Sequence, residues 1–480
     1  MNKKVRLPNM YEVVLLLALF LVIMTSSIIV FNLELQLSLF IVWFIMIGMG
    51  LYLGHTYNEL QSSLAEGIHK GIEAIFIIIA VGALIGTWIA GGIVPSIIYY
   101  GMAIIHPSIF LLATLIICSI TSLATGTSFG TVGTAGIAMM AIGISFGIPA
   151  PLVAGAVISG AYFGDKLSPL SDMTVLTASL SKVDIVDHIK SMLHVSVPSY
   201  IIAAILFLIV GFQYGGDESS LAIVEENMAA IQDVFHISWY MLVPMIVVII
   251  LLAMRKPAVP SIAFGALLGV IWSWLFQKNS FMIALKSSYD GVNLETGNEF
   301  MDLLLSRGGI ASMIEVVLFM LLALGLGGLL DKIGVMQVLQ DKMSIWVKES
   351  TGRLTLSTIG TAFFGNLFGS AGYVSIITGS KMTEQNYDRL NVDRKVLSRN
   401  TETGGTLTAA MVPWGDNGIY MAAMLGVSTF AYLPFMWFAF ISIIISIIYG
   451  YTGKFIWRTD NNEKKNNILD ESDTKDKMIL

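Results

Sequence analysis

The sequence predicts an all-α polytopic membrane protein of two repeats, with a re-entrant hairpin and broken helices. Three observations lead there. Of 480 residues, 55% are hydrophobic and only 12% charged, whereas soluble domains carry roughly a quarter charged residues. Apolar segments of spanning length recur along the chain. Two polar, glycine-rich stretches interrupt them at corresponding places, where lipid tolerates irregular backbone only if protein or a wet cavity satisfies it.

The first segments set the topology. Lys3, Lys4 and Arg6 precede an apolar run over 13–31 that is longer than a signal-peptide core and lacks a small-x-small cleavage site, so it reads as a retained span. This makes 1–11 a cytoplasmic N-terminus and 12–213 a first membrane half, with apolar segments near 12–31, 37–54, 71–90, 107–125, 131–148 and 193–213. An acidic external loop is expected at 214–236, where Asp217, Glu218, Glu225, Glu226 and Asp233 occur without Lys or Arg, while Arg255 and Lys256 mark a cytoplasmic turn. The second membrane half is 237–456, with apolar segments near 237–254, 257–277, 310–330, 354–378 and 430–450, and 457–480 reads as a solvated cytoplasmic tail. With weaker segments near 94–105, 150–163 and 404–428, the count is about 10 to 13 spans. The expected location is the cell membrane, with both termini in the cytoplasm.

Basic residues on both sides of 354–378 place its two ends on one face. Lys332, Lys342, Lys348 and Arg353 come before it, and Lys381, Arg389, Arg394, Lys395 and Arg399 after it. A segment that leaves and returns on one side is a re-entrant hairpin, turning within Phe364-Gly365-Asn366-Leu367-Phe368-Gly369-Ser370-Ala371-Gly372.

The spacing of the two polar stretches favours duplication over chance. Phe129 and Tyr373, Gly160 and Gly404, Pro169 and Pro413, and Asp172 and Asp416 are each 244 positions apart (373 − 129, and likewise for the others). Interrupted apolar segments in corresponding halves point to a midplane binding site in a repeat-built transporter. An ionised carboxylate in hydrocarbon is costly, so Asp165, Asp172, Glu402 and Asp416 should meet a bound species or titrate. Thr127, Ser128, Thr131, Ser168, Asn366, Thr406 and Asn417 add neutral oxygens. Tyr162 and Trp414 are candidate gates.

Plainer readings stand beside these. Asp165 could pair with Lys166, Asp172 could cap the helix that follows it, and Glu402 could pair with Arg399 three residues earlier. Cys118, the one cysteine, reads as a packed helix residue and leaves no disulfide framework. His55, His69, His106, His188, His194 and His236 lack metal-ligand spacing, so no metal enzyme is expected. His188 and His194 flank an amphipathic stretch at 181–191, expected at the cytoplasmic surface. The run Gly126-Thr127-Ser128-Phe129-Gly130 fits a nucleophile-elbow pattern, which makes an intramembrane serine hydrolase a distant alternative, but the pattern interrupts membrane helices instead of joining strand to helix. A passive channel is a third reading, and no nucleic-acid partner is read from the net charge of -6.

At these residues the sequence resembles the NhaC family of Na⁺/H⁺ antiporters. The resemblance rests on Gly126-Thr127-Ser128 with Gly130-Thr131-Val132-Gly133, on the block from Ser159 through Gly160-Ala161-Tyr162-Phe163-Gly164-Asp165-Lys166-Leu167-Ser168-Pro169-Leu170-Ser171-Asp172, and on Leu397-Ser398-Arg399, Gly405-Thr406-Leu407-Thr408 and Pro413-Trp414. It implies inverted repeats, sodium-coupled exchange, relatives that exchange malate for lactate or move amino acids, and ion-site roles for Thr127, Ser128, Asp165, Ser168 and Asp172, with Na⁺ at Ser128, Asp165 and Asp172. The sequence departs from the family pattern at two places, with Ala371-Gly372 where an Asp-Gln pair precedes the tyrosine matching Tyr373, and Gly415-Asp416 where Asn-Thr follows Pro-Trp.

The expected function is therefore secondary active transport, as a Na⁺/H⁺ antiporter working by alternating access, with a Na⁺- or H⁺-coupled organic solute exchanger as the alternative. The expected site comprises Thr127, Ser128, Asp165, Ser168, Asp172, Asn366, Tyr373, Glu402, Thr406 and Asp416. No cofactor is expected beyond Na⁺ and H⁺ as transported or coupling ions. Expected partners are a small ion or small anionic solute and the lipid bilayer, with homodimerisation left open.

Overall fold

The computed structural model describes residues 5–29, 35–169, 171–214, 218–254, 256–294, 305, 308–335, 337–339 and 346–459. Lys3, Lys4, Leu170, Asp217, the side chain of Glu218, Arg255, Lys342 and the tail from 460 onward lie outside the described residues. Among the described residues the secondary structure is helical, apart from one isolated antiparallel bridge between Val392 and Arg458. Among the described residues five helices are long and apolar enough to cross a membrane unaided, and up to eight spans result if each bent pair counts as one. Four shorter apolar helices accompany them.

Helices α1 (Met10–Ile29), α2 (Leu35–Tyr52), α3 (Tyr57–Lys70), α4 (Ile72–Ala90) and α5 (Ile93–Ile104) lead into the first hairpin. That hairpin rises along α6 (Phe110–Thr125) and returns through α7 (Ser128–Thr131), a π-helical turn over Val132–Gly136 and α8 (Ile137–Ser145). Phe110 at its start and Phe146 at its end pack edge to face at 5.2 Å, so both arms share one base. A helix broken at Ser168–Ser171 follows, α9 (Ala150–Leu167) then α10 (Asp172–Leu180), and the half closes with α11 (Ile185–Gly211).

Between the halves lie α12 (Glu218–Val234), α13 (Val243–Ala253), α14 (Ala258–Phe276) and α15 (Phe281–Asp290). The segment expected as an acidic loop is thus largely helix. Its Asn227, Ile231 and Phe235 are buried at four-residue spacing while Glu225, Glu226 and Asp233 stay exposed. A helical stripe of three inward residues was hidden by the density of acids around it.

The second half opens with α16 (Ile314–Ile333) and the hairpin arms α17 (Thr351–Gly369) and α18 (Gly372–Arg389). Its broken helix is α19 (Arg394–Ala409) and α20 (Asp416–Leu425), followed by α21 (Thr429–Tyr432) and α22 (Trp437–Thr452). The hairpin turns at Ser370–Ala371, inside the stretch that the sequence marks. The arms bond near their base, where Thr358 Oγ1 lies 3.0 Å from the Tyr387 hydroxyl.

The internal repeat is visible in the contacts. In the first half Ser122 Oγ donates to the Ala161 carbonyl at 2.6 Å, and in the second Asn366 Nδ2 donates to the Gly405 carbonyl at 2.7 Å. These pairs stand at the same 244-residue offset (366 − 122 and 405 − 161). Close approach repeats too, since a Cβ on Gly160 would sit 2.4 Å from the Leu115 carbonyl oxygen and one on Gly404 would sit 2.7 Å from that of Ile359. In each half, glycine lets the broken helix lie against the hairpin's outgoing arm.

The repeats are inverted, and α11 shows it. At its C-terminal end, Gly211 packs so closely on Ser108 that a Cβ would come within 2.5 Å of the Ser108 carbonyl oxygen, at the base of the first hairpin. Nearer its N-terminus, Ser191 Oγ donates to the Lys395 carbonyl at 2.9 Å, in the first turn of α19 beside the base of the second. Twenty residues of helix separate these contacts, about 30 Å at 1.5 Å per residue. The two hairpins therefore enter from opposite ends.

The chain beyond α22 does not leave as a solvated tail at 457. It straps the base of the second hairpin: Asp393 N–H donates to the Trp457 carbonyl at 3.0 Å, Thr459 N–H to Asn391 at 3.1 Å, and Arg399 Nη1 to Phe455 at 3.1 Å. The Trp457 ring lies beneath both Lys395 and Arg399. An indole can cover these cations, which a count of charges alone does not reveal.

Gly160→Ala and Gly404→Ala are each expected to lower stability by about 1–3 kcal/mol through overpacking. Gly48→Ala, where an added Cβ meets nothing within 4 Å, should change little. Thermal melting of the detergent-purified protein checks this, and equal melting of all three variants would refute the close-packing account.

Candidate functional site

Each hairpin ends its outgoing arm in a left-handed residue. Gly126 has φ 70° at the end of α6, and Ser370 has φ 53° at the end of α17. Glycine adopts this conformation freely, but a serine does so only where its surroundings hold it. At Ser370 the Asp416 N–H supplies that hold, donating to the Ser370 carbonyl at 2.9 Å. The turn leaves the first N–H groups of the returning arm without helical partners.

Aspartates fill those positions. In the first half Ser128 N–H donates to Asp165 Oδ2 at 3.2 Å. In the second half Gly372 N–H donates to Asp416 Oδ2 at 3.3 Å, while Asn417 bonds Asp416 Oδ1 through its backbone N–H at 2.7 Å and its side-chain amide at 2.8 Å. Both acids are buried, with 5% and 6% of their surface exposed. A helix start suits a carboxylate because its N–H groups and dipole favour negative charge. Each hairpin tip is thus tied, through one carboxylate, to the broken helix of its own half.

The two tips converge on a cavity of about 510 Å³. Thr127, Ser128, Asp165, Asp172, Tyr373, Thr406 and Asp416 line it, so seven of the ten site residues expected from sequence come together there. Tyr162 joins them across the halves by donating its hydroxyl to Asn417 Oδ1 at 2.8 Å. Phe129 and Tyr420 stack at 4.2 Å beside it. At the rim, Lys70, Glu73 and Lys256 are exposed. The sequence marked Lys256 only as part of a cytoplasmic turn and did not single out Lys70 or Glu73, since isolated surface charges carry no pattern.

Three expected site residues stand outside the cavity wall. Ser168 is buried and donates to the Leu123 carbonyl at 2.9 Å, and Asn366 serves the repeat contact described above and also donates to Thr408 Oγ1 at 2.9 Å. Glu402 accepts from Thr177 Oγ1 at 2.5 Å and Thr406 Oγ1 at 2.6 Å. It does not pair with Arg399, whose guanidinium turns to Phe455 and Trp457. Nor does Asp165 pair with Lys166, which donates to Thr403 Oγ1 at 2.9 Å. Adjacent on α9, Asp165 and Lys166 point to different sides, to Ser128 and to Thr403 respectively, while Arg399 and Glu402 are drawn apart by Phe455 and by Thr177.

Asp172 and Asp416, equivalent in the repeat, have different surroundings. Asp172 is exposed in the first turn of α10, whose cap is Ser171, whereas Asp416 is buried. Asp165, on the other side of its break, holds the first hairpin as Asp416 holds the second. Trp414 lies outside the cavity lining; it donates to the Leu367 carbonyl at 2.7 Å and packs on Phe20. His188 is buried and bonded to Ser398 at 2.8 Å, not at the surface, and no histidine lines the cavity near Ser128. Cys118 is packed within α6 as expected.

Inverted hairpins whose tips enclose a polar cavity between two broken helices define a multi-pass secondary active transporter. The match to the Na⁺/H⁺ antiporter family spans residues 160–454, and the chain belongs to that family. It is 56% identical to the Malate-2H(+)/Na(+)-lactate antiporter of Bacillus subtilis, over 96% of this chain and 99% of that one. It is 38% identical to the Na(+)/H(+) antiporter NhaC of Alkalihalophilus pseudofirmus, over 92% and 95% of the two chains. Identity to the arginine/ornithine antiporter ArcD of Halobacterium salinarum is 32%, over 87% and 86%.

Because Asn366 braces the repeat contact and lies outside the cavity wall, Asn366→Ala should cost about 1–3 kcal/mol of stability through its unpaired neighbours. The Na⁺ or solute concentration for half-maximal transport should not move. A large shift in that concentration would place Asn366 in the binding site after all.

Proposed function

We propose that this protein exchanges small organic carboxylates across the cell membrane, of the malate and lactate class, coupled to Na⁺ and H⁺. The observation that carries the reading is the pair of buried aspartates at the two helix breaks, Asp165 and Asp416, sharing one cavity. Two ionised aspartates would repel an anionic cargo from that space. When a bound cation neutralises them, a carboxylate can enter, so solute binding requires cation binding and the two are coupled through charge.

Size favours an organic cargo over a bare ion. The cavity of about 510 Å³ falls within the roughly 300–1,000 Å³ typical of small-molecule sites. The extensive identity to the malate/lactate antiporter supports the same choice. The relatives described as Na⁺/H⁺ antiporters keep plain Na⁺/H⁺ exchange as the second reading. In either case the coupling ion occupies oxygens of Thr127, Ser128 and Asp165 at one tip and of Asp416 and Asn417 at the other, while Tyr373, Thr406 and Asp172 face the cargo. Excess positive charge marks cytoplasmic faces, so the rim carrying Lys70 and Lys256 opens to the cytoplasm, and the termini lie on that side.

In proteoliposomes, outward lactate and Na⁺ gradients should drive uptake of labelled malate. Asp165→Asn and Asp416→Asn, which keep an acceptor for the helix-start N–H, should fold yet lose more than about 90% of that uptake, since the charge cannot be replaced. Na⁺-dependent dissipation of a pH gradient without any solute movement would select the second reading. Normal coupled transport by both variants would reject the site.

A further inference from the structure

A second group of buried charges lies behind the cavity wall. Lys166 on α9 and Glu402 on α19 belong to different halves, and both are fully enclosed. No ion pair joins them directly: Lys166 donates to Thr403, the residue after Glu402, and Glu402 accepts from Thr177 and Thr406. Glu402 reaches the cavity in one step, through Thr406, which lines it and donates to Glu402.

The charged and titratable groups around Glu402 are few. Lys166 and Asp165 face it from α9, and α10 offers the neutral Thr177. Arg399, on its own helix, bears on Lys166 but directs its guanidinium to the strap. His188 on α11 faces Lys166 and bonds Ser398. An enclosed acid with one cation of the other half close by, and a hydroxyl between it and the cavity, is fitted to carry a proton and poorly fitted to bind an organic anion.

We propose that Glu402 carries the coupling proton of this exchanger, at a site separate from the aspartates that meet Na⁺ and solute. A proton from cavity water passes to Thr406 Oγ1 as the Thr406 hydroxyl hydrogen moves to Glu402 Oε1. One O–H bond breaks and one forms at the threonine, and the carboxylate becomes the neutral acid. Release reverses these steps. Lys166 acts as a positioning charge, left with less counter-charge each time Glu402 is protonated. That change falls across the contact between α9 and α19, where the two halves meet.

This inference rests on the carboxylate-exchange reading, and two assays on the full chain in proteoliposomes separate them. One measures exchange of labelled for unlabelled malate at equal concentrations, which moves no net proton. The other measures malate accumulation driven by an imposed pH gradient. Glu402→Gln should retain the exchange but lose the pH-driven accumulation and the pH dependence of the rate. Retained pH-driven accumulation would overturn the proposal, and loss of both activities in well-folded protein would overturn it in favour of a scaffolding role. If the glutamine variant does not yield monodisperse protein, Glu402→Asp should shift the pH of half-maximal accumulation, and an unmoved profile would count against the proposal. Wild-type protein that moves no malate in either assay would overturn the exchange reading itself, and this inference with it.

Discussion

The structure depends on one constraint: a carboxylate enclosed away from water needs donors that lipid cannot supply. The chain provides them by interrupting its own helices. Where α6 and α17 stop, the next residues start new helices whose first N–H groups are free, and Asp165 and Asp416 occupy those positions. The break and the acid explain each other. Without the acid, the hairpin tip would leave unsatisfied donors; without the break, the acid would be an unsupported charge.

The same constraint accounts for how the halves are joined. Polar contacts cross between them at the site: Tyr162 with Asn417, Thr177 with Glu402, Lys166 with Thr403, and the Tyr420 hydroxyl with the Phe129 carbonyl at 2.6 Å. In an apolar surrounding each such bond has few competitors, so the set fixes the register of one half on the other. Away from the site the packing is mainly of close helix pairs, permitted by glycines such as Gly160 and Gly404.

Much of this was legible in the sequence. The repeat offset located both breaks, because Gly, Pro and Asp leave marks that survive duplication, and the basic flanks located the second hairpin. What could not be read was the facing of side chains. Asp172 and Asp416 share a position in the repeat, yet only Asp416 is buried; the chain uses Asp165, before its break, for the corresponding task. Repeated sequence shows where the backbone bends, whereas charge placement depends on which neighbour presents a donor. Adjacent charges misled in the same way: Lys166 and Arg399 looked like partners for the acids beside them, and the fold sends both elsewhere. The acidic helix α12 escaped notice because three inward residues were outweighed by their charged surroundings.

The strap over the second hairpin makes the last described turn of the chain a mechanical clamp. Backbone bonds at Asp393 and Thr459, together with the indole of Trp457, hold the junction of α18 and α19, so the base of that hairpin is anchored while its tip at Ser370 and Gly372 is bonded to Asp416. Such a hairpin is a lever fixed at its base and latched at its tip by one carboxylate.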